Sequence, residues 1–199
     1  PEGAVIGPGE VIVIANQAAS FQAVYGFPPD FELRESDPTI PTLAKYRAWA
    51  GGSMTLLNTS DEVLIIDGGD ALVDAVSWGA STFAFSPPAP DVDAGYSLER
   101  SPAIQDTDTA ADWIEQINPN PGDVDLTPPT PVPTPIASDT PVPTSTAAST
   151  STVQPTVEPT SSTTPVATPN PANLLLSEVL YDPTGDEPEG EWLEIYNPG

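Results

Sequence analysis

The sequence predicts an all-β fold of the sandwich or barrel type, interrupted by a Pro/Ser/Thr-rich linker. Short β-branched runs alternate with turns that contain Gly or Pro, which is typical of small all-β domains. The composition also changes abruptly along the chain. We therefore divide the chain into a globular part, residues 1–126, a linker, residues 127–173, and a second strand-rich part, residues 174–199.

Two strand patterns and one helix pattern are the clearest in the globular part. The strand predicted at residues 10–15 follows the turn Gly7-Pro8-Gly9. Residues 62–78 predict a β-hairpin, because apolar runs flank a turn whose glycines permit positive φ. A short helix is expected at residues 18–25, where Phe21, Val24 and Tyr25 share one face at i, i+3, i+4 spacing.

Further short strands are expected in the same part. Residues 53–57 and 62–66 flank four polar residues, as the arms of another hairpin would. Residues 96–100 and 112–115 predict two more strands.

The linker differs from both of its neighbours in composition. Its 47 residues contain 12 Pro and 19 Ser or Thr, and no aromatic residue. Such a segment buries too little apolar surface to offset the entropy of ordering it, so we expect it to be disordered and extended. Ser/Thr with Pro is also the composition of O-glycosylated stalks.

Charge and composition exclude several functions. The chain has 29 acidic and four basic residues, a net charge of −25, and neither His nor Cys. This charge repels phosphate backbones and anionic lipids, so we expect no direct nucleic-acid binding. No apolar run reaches the ~18 residues of a membrane helix, so we expect no membrane insertion. Without His or Cys the chain cannot form a Ser-His-Asp or Cys-His arrangement, and we predict that it is not an enzyme.

Both strand-rich parts resemble bacterial lamin-tail domains. Residues 174–183, LLLSEVLYDP, and residues 191–199, EWLEIYNPG, resemble the opening of that domain, and residues 9–122 resemble its remainder. The matching pieces follow in order: the strand at 8–14, VDAVSWG at 73–79, SLER at 97–100, DTDTAADW at 106–113 and NPNPG at 118–122.

The resemblance implies an immunoglobulin-like β-sandwich. In this interpretation residues 1–126 lack the opening strands of one copy, and residues 174–199 are the opening strands of a second copy. It further implies a non-catalytic structural or binding accessory module of an exported, multi-repeat protein, extracellular or at the cell surface. The alternative is an accessory domain of a secreted nuclease or phosphoesterase whose catalytic domain lies outside this sequence. A calcium-dependent carbohydrate binder is a third hypothesis.

Two acidic segments are candidate calcium sites, although we assign no cofactor. The first has oxygen ligands at loop spacing but lacks the Gly and Glu of an EF-hand, and turn or capping chemistry explains it: Asp106, Asp108 and Asp112. In the second, calcium would relieve the repulsion of like charges, and a solvated loop explains it equally well: Asp182, Asp186, Glu187, Glu189 and Glu191.

Glu178 and Glu194 are a candidate catalytic pair, because paired carboxylates perform glycoside hydrolysis. We favour a structural role in which they accept hydrogen bonds from the neighbouring chain or pair with Arg100. For Arg100 itself the expected partner is a buried carboxylate, Asp112 or Glu178.

Three tryptophans on the predicted strands are either core residues or a sugar-stacking platform. Their place on short alternating strands favours the core: Trp78, Trp113 and Trp192.

The two strand-rich parts are complementary. The chain begins in mid-pattern and without Met, so we interpret it as a fragment. A lone hairpin is marginal in water, and we expect residues 174–197 to dock onto residues 1–126, within one chain or between two chains as a swapped dimer. The apolar residues expected to become buried are Leu174, Leu176, Val179, Trp192 and Ile195.

Overall fold

A computed structural model of the chain describes residues 4–45, 55–127 and 173–199, which belong to one compact unit. The elements in chain order are β1 (Val11–Ala15), α1 (Ala18–Tyr25), β2 (Phe31–Glu32), β3 (Ser60–Ile66), β4 (Leu72–Gly79), β5 (Ser97–Arg100), β6 (Trp113–Gln116), β7 (Leu175–Leu180) and β8 (Trp192–Tyr196). A 3-10 turn at Ala110–Asp112 precedes β6. The predicted linker lies outside the described residues, except for its first and last positions.

Within the described residues the strands form two sheets. The larger sheet has the order β2-β1-β8-β7-β5-β6, and the smaller sheet is the β3–β4 hairpin. The all-β prediction is confirmed at this level, and the two sheets are compatible with a β-sandwich. Neither helical segment of the described ranges has the length and apolar composition needed to cross a membrane.

The predicted helix and the predicted hairpin of residues 62–78 are confirmed. The other predicted hairpin is wrong, because residues 55–57 belong to no strand and β3 pairs with β4. The backbone carbonyl of Leu57 instead accepts a hydrogen bond from the Trp78 indole at 2.9 Å, and Leu56 is buried in the core. The remaining two residues of that arm, 53 and 54, lie outside the described residues.

The C-terminal strands occupy the middle of the larger sheet. Strand β8 pairs antiparallel with β1 over their whole length, from Val11↔Tyr196 to Ala15↔Trp192. Strand β7 pairs antiparallel with β5 at Leu98↔Val179. Of the five apolar residues expected to be buried, three are buried, and Leu174 and Ile195 are half-buried. The assignment of these strands to a second domain copy stays a prediction.

Apolar residues line both faces of the larger sheet. One face packs against the β3–β4 hairpin, where the rings of Trp78 and Tyr181 stack with centroids 4.4 Å apart. The other face packs beneath α1, where Phe21 meets Trp192 edge to face at 6.1 Å. Trp78, Trp113 and Trp192 are at most 3% exposed, so the core interpretation of these tryptophans is confirmed, and these three rings are not available for stacking on a sugar.

Candidate functional site

Three glutamates lie side by side across three neighbouring strands. Glu99 of β5 is the register partner of Glu178 of β7, and Glu178 is the register partner of Glu194 of β8. Because register partners share a face of the sheet, the three side chains form a row on the α1 side, beside Trp192. We call these three residues the carboxylate row; they are 6%, 1% and 0% exposed.

Glu178, the middle residue of the carboxylate row, holds the loop that follows β6. Its Oε1 atom accepts hydrogen bonds from the Ser97 hydroxyl and from the Asn120 backbone N–H, the latter at 3.3 Å. Its Oε2 atom is buried and has no hydrogen-bond partner among the described residues. Burial of an unpaired carboxylate oxygen is unfavourable when the group is charged, which favours a proton on this atom.

The outer two residues of the carboxylate row also accept hydrogen bonds. Glu194 accepts hydrogen bonds from the Ser177 hydroxyl and from the Gly122 backbone N–H, both at 2.6 Å. Glu99 accepts one from the Gln116 amide at 3.0 Å. The row therefore anchors residues 118–122 to the sheet, and this is the NPNPG segment singled out from the sequence.

The protonation of the row follows from its environment. Burial raises the pKa of Glu178 to about 8, against the lowering effect of the Ser97 hydrogen bond, and Glu194 raises it further. Burial likewise raises the pKa of Glu194 to about 7, and it raises the pKa of Glu99, to which Asp125 adds. Glu178 and Glu194 therefore retain protons close to neutral pH.

This geometry bears on the candidate catalytic pair. Glycoside hydrolysis requires two carboxyl groups that reach a sugar and a water molecule between them. Glu178 and Glu194 are 1% and 0% exposed, and their oxygens bind the backbone of Asn120 and Gly122. A substrate would have to displace that loop, so the arrangement suits anchoring better than hydrolysis.

Arg100 is the centre of a second buried polar cluster, on the opposite face of β5. Its Nη2 atom donates to both carboxylate oxygens of Asp74 at 2.8 Å, and its Nε atom donates to the Leu176 carbonyl at 2.8 Å. The Leu176 N–H donates in turn to Asp74 at 2.6 Å. The guanidinium lies 4.7 Å from the centre of the Trp113 ring. This cluster joins β4, β5 and β7.

The expectation of a buried carboxylate partner for Arg100 is confirmed, but one of the two named candidates is wrong. Glu178 is not a partner, because it lies beside Glu99, and successive residues of β5 face opposite sides of the sheet. Asp112 is an ion-pair partner at 3.9 Å, although Asp74, at 2.8 Å, is the closer one. Asp74 was not expected as the partner of Arg100, although it is the one charged residue of strand β4.

The residues of the first calcium candidate make turn, capping and ion-pair contacts. Asp112 accepts hydrogen bonds from the N–H and hydroxyl of Thr107 at 2.7 and 2.8 Å, and from the Gln105 amide at 3.0 Å. Burial opposes ionisation of Asp112, but these bonds outweigh it and lower its pKa. Asp106 pairs with Arg100 at 3.2 Å, and Asp108 adopts positive φ.

The second calcium candidate is spread over the loop between β7 and β8. Glu189 forms an ion pair with Arg34 at 3.0 Å, and Glu187 accepts a hydrogen bond from the Asn58 amide at 2.9 Å. These contacts fasten the loop to two other segments of the chain.

The remaining acidic residues of this loop differ in burial. Asp186 is exposed, whereas burial and the adjacent Glu187 raise the pKa of the half-buried Asp182. Glu191 is buried, accepts a hydrogen bond from the Leu56 N–H at 3.1 Å, and has a pKa that burial raises to about 7. Across the described ranges, no three acidic side chains are placed to hold a metal ion. The expectation that the chain binds no cofactor stays a prediction, with calcium at these two segments as its alternative.

Two open grooves border the larger sheet. A groove of about 520 Å³ lies at its β1–β2 end and is lined by Ile12, Phe31 and Leu43. A second groove, of about 280 Å³, lies between α1 and the loop after β7 and is lined by Tyr25 and Pro183. Sequence patterns did not indicate either groove, because each forms between segments distant in the chain.

Comparison with known proteins identifies no relative: no family model, no curated protein and no solved structure matches the chain. The lamin-tail resemblance therefore rests on residues 9–122 and 174–199 alone.

Proposed function

We propose that the chain is a non-catalytic structural or binding module of the lamin-tail kind, with an immunoglobulin-like sandwich. We place it in an exported protein, outside the cell or at its surface. The resemblance at residues 9–122 and 174–199 supports the assignment to the lamin-tail family, and the two-sheet architecture is compatible with this assignment.

The carboxylate row is the observation that carries this proposal. Glu178 and Glu194 are the strongest candidates for chemistry in the sequence, and both are buried beneath residues 118–122, which they hold by hydrogen bonds. The Arg100 guanidinium is likewise engaged in hydrogen bonds to Asp74 and to the Leu176 carbonyl. These contacts stabilise the fold, and a substrate would have to displace residues 118–122 to reach Glu178 or Glu194.

Activity assays test the proposal directly. The purified chain is incubated with nucleic-acid, phosphoester and glycoside substrates, and we expect no turnover above the buffer blank. Glu178→Gln is the matched variant, because an amide oxygen preserves the bonds from Ser97 and Asn120. Turnover by the wild-type chain that disappears in this variant would refute the proposal.

The sequence of the complete gene separates the module from the alternative accessory domain. Further repeats and a surface anchor agree with the proposal. A catalytic domain rich in His and Asp would instead make the chain an accessory part of a secreted hydrolase.

A further inference from the structure

We propose that the C-terminal hairpin, strands β7 and β8, is exchanged between copies of this chain, so that one copy completes the sheet of another. The partner is a second copy of the same sequence. The inference rests on the proposed function only in treating the chain as a structural module.

The hairpin completes the larger sheet. We call the part of the chain that accepts it, the described residues 4–45 and 55–127, the receptor. It lies between β1 and β5, so without it the larger sheet divides into a β2–β1 pair and a β5–β6 pair. Each of these pairs would then expose a strand edge along its length, and unpaired edges bind other strands.

The hairpin also supplies core residues to both faces of the sheet. Leu176, Val179 and Leu193 pack toward the β3–β4 hairpin, whereas Leu180 and Trp192 pack toward α1. An interface of this kind resembles a domain core divided in two, which is the character of permanent subunit interfaces.

Buried polar contacts make the receptor specific for this hairpin. The Tyr181 hydroxyl accepts a hydrogen bond from the Val92 N–H at 3.0 Å, and Glu191 accepts one from the Leu56 N–H at 3.1 Å. The Leu176 carbonyl accepts one from Arg100. Leaving these buried groups unpaired is costly, and another sequence would not satisfy them together. A second copy of the chain has every one of the required side chains.

The connection between hairpin and receptor permits exchange. The two parts are joined through residues 128–172, a segment of 45 residues, and a fully extended chain of that length spans up to about 150 Å. The exchanged and unexchanged forms contain the same contacts, so their balance depends on concentration. Tethering corresponds to an effective concentration on the order of millimolar. Exchange therefore requires copies of the chain at a local concentration of the same order, as between neighbouring repeats.

Disulfide trapping in the full chain tests the exchange. The chain has no Cys, and Ile12 of β1 is the register partner of Ile195 of β8. Single variants Ile12→Cys and Ile195→Cys, with tags of different size, are unfolded together, refolded and oxidised. We expect disulfide-linked heterodimers after refolding at about 1 mM, and at least about ten-fold fewer at 10 µM.

Two controls make the result decisive. The double variant, with both cysteines in one chain, should form an intrachain disulfide at the lower concentration, and its failure to do so would overturn the β1–β8 register and with it the proposal. A mixture of Ile195→Cys with Val24→Cys, whose side chain is exposed on α1, gives the background from random collision. Heterodimers at about 1 mM that do not exceed this background would also overturn the exchange. Neither outcome depends on the activity assays.

Discussion

At the scale of single residues, the buried carboxyls of the sheet link stability to pH. Glu178 has an ordinary pKa of 4.5 when unfolded and a pKa of about 8 in the folded chain. Below pH 4.5 both states hold the proton, so this residue contributes no difference. Between these two values the unfolded state releases the proton while the folded state retains it. The free energy of unfolding therefore declines as the pH rises through this range.

We expect Glu178→Gln to remove part of this decline. The amide cannot ionise, so the variant should be more stable than wild type at pH 8, on the order of 2–4 kcal/mol, and similar to it at pH 4.5. Urea denaturation at both pH values measures the difference. Glu35→Gln, at an exposed position, serves as the control and should leave the pH dependence unchanged. Equal pH dependence in wild type and Glu178→Gln would contradict the expectation.

At the scale of elements, the β3–β4 hairpin depends on one glycine at its open end. Gly79 ends β4 opposite Ser60 and adopts a φ of 63°. A Cβ atom at this position would lie 1.8 Å from the Thr59 carbonyl oxygen, which belongs to the backbone. The close approach of the two strands therefore excludes a side chain at this position.

Gly79→Ala should destabilise the chain by at least about 2 kcal/mol, because the strained φ and the backbone clash add. Gly68→Ala is the matched control, since a Cβ there meets nothing within 4 Å. Thermal melting of the two variants measures the difference. If Gly79→Ala melts at the same temperature as wild type, the close backbone contact described for this end of the hairpin is wrong.

Elements with a local signal were predictable from sequence. The α1 bounds follow from the aromatic spacing in residues 18–25, and the β3–β4 hairpin follows from two apolar runs around a glycine turn. Even so, Val24 of the predicted helical face is 73% exposed, because Phe21 provides the buried contact of that face.

Features that depend on distant segments were not predictable. Strand β2 is two residues long and exists through parallel pairing with β1. The row of Glu99, Glu178 and Glu194 requires the register of three strands, two of which follow the linker. Spacing along the chain contains no information about such register, so Glu99 was missed although its two neighbours had been singled out.

At the scale of the whole molecule, the fold depends on the last 27 residues. A chain that ends at Thr127 loses the two central strands and the residues they bury on both faces. We expect its cooperative melting transition to be lost or its melting temperature to fall markedly. Calorimetry of the truncated and full chains makes the comparison. Removal of residues 140–159, which keeps the hairpin, is the control and should preserve the transition. An unchanged transition in the truncated chain would rule out docking of the hairpin.

The pairing of β1 with β8 also determines how the module responds to mechanical force. The two strands are antiparallel, and the first residues of one lie beside the last residues of the other, where the Asn197 amide donates to the Ile6 carbonyl at 2.8 Å. Tension applied at Ile6 and Gly199 therefore acts on one end of the row of hydrogen bonds between β1 and β8. Its hydrogen bonds would break one after another, beginning with those between Gly9, Glu10 and Asn197. Such a module yields by unzipping at low force, so in a protein under tension it would act as an extensible element.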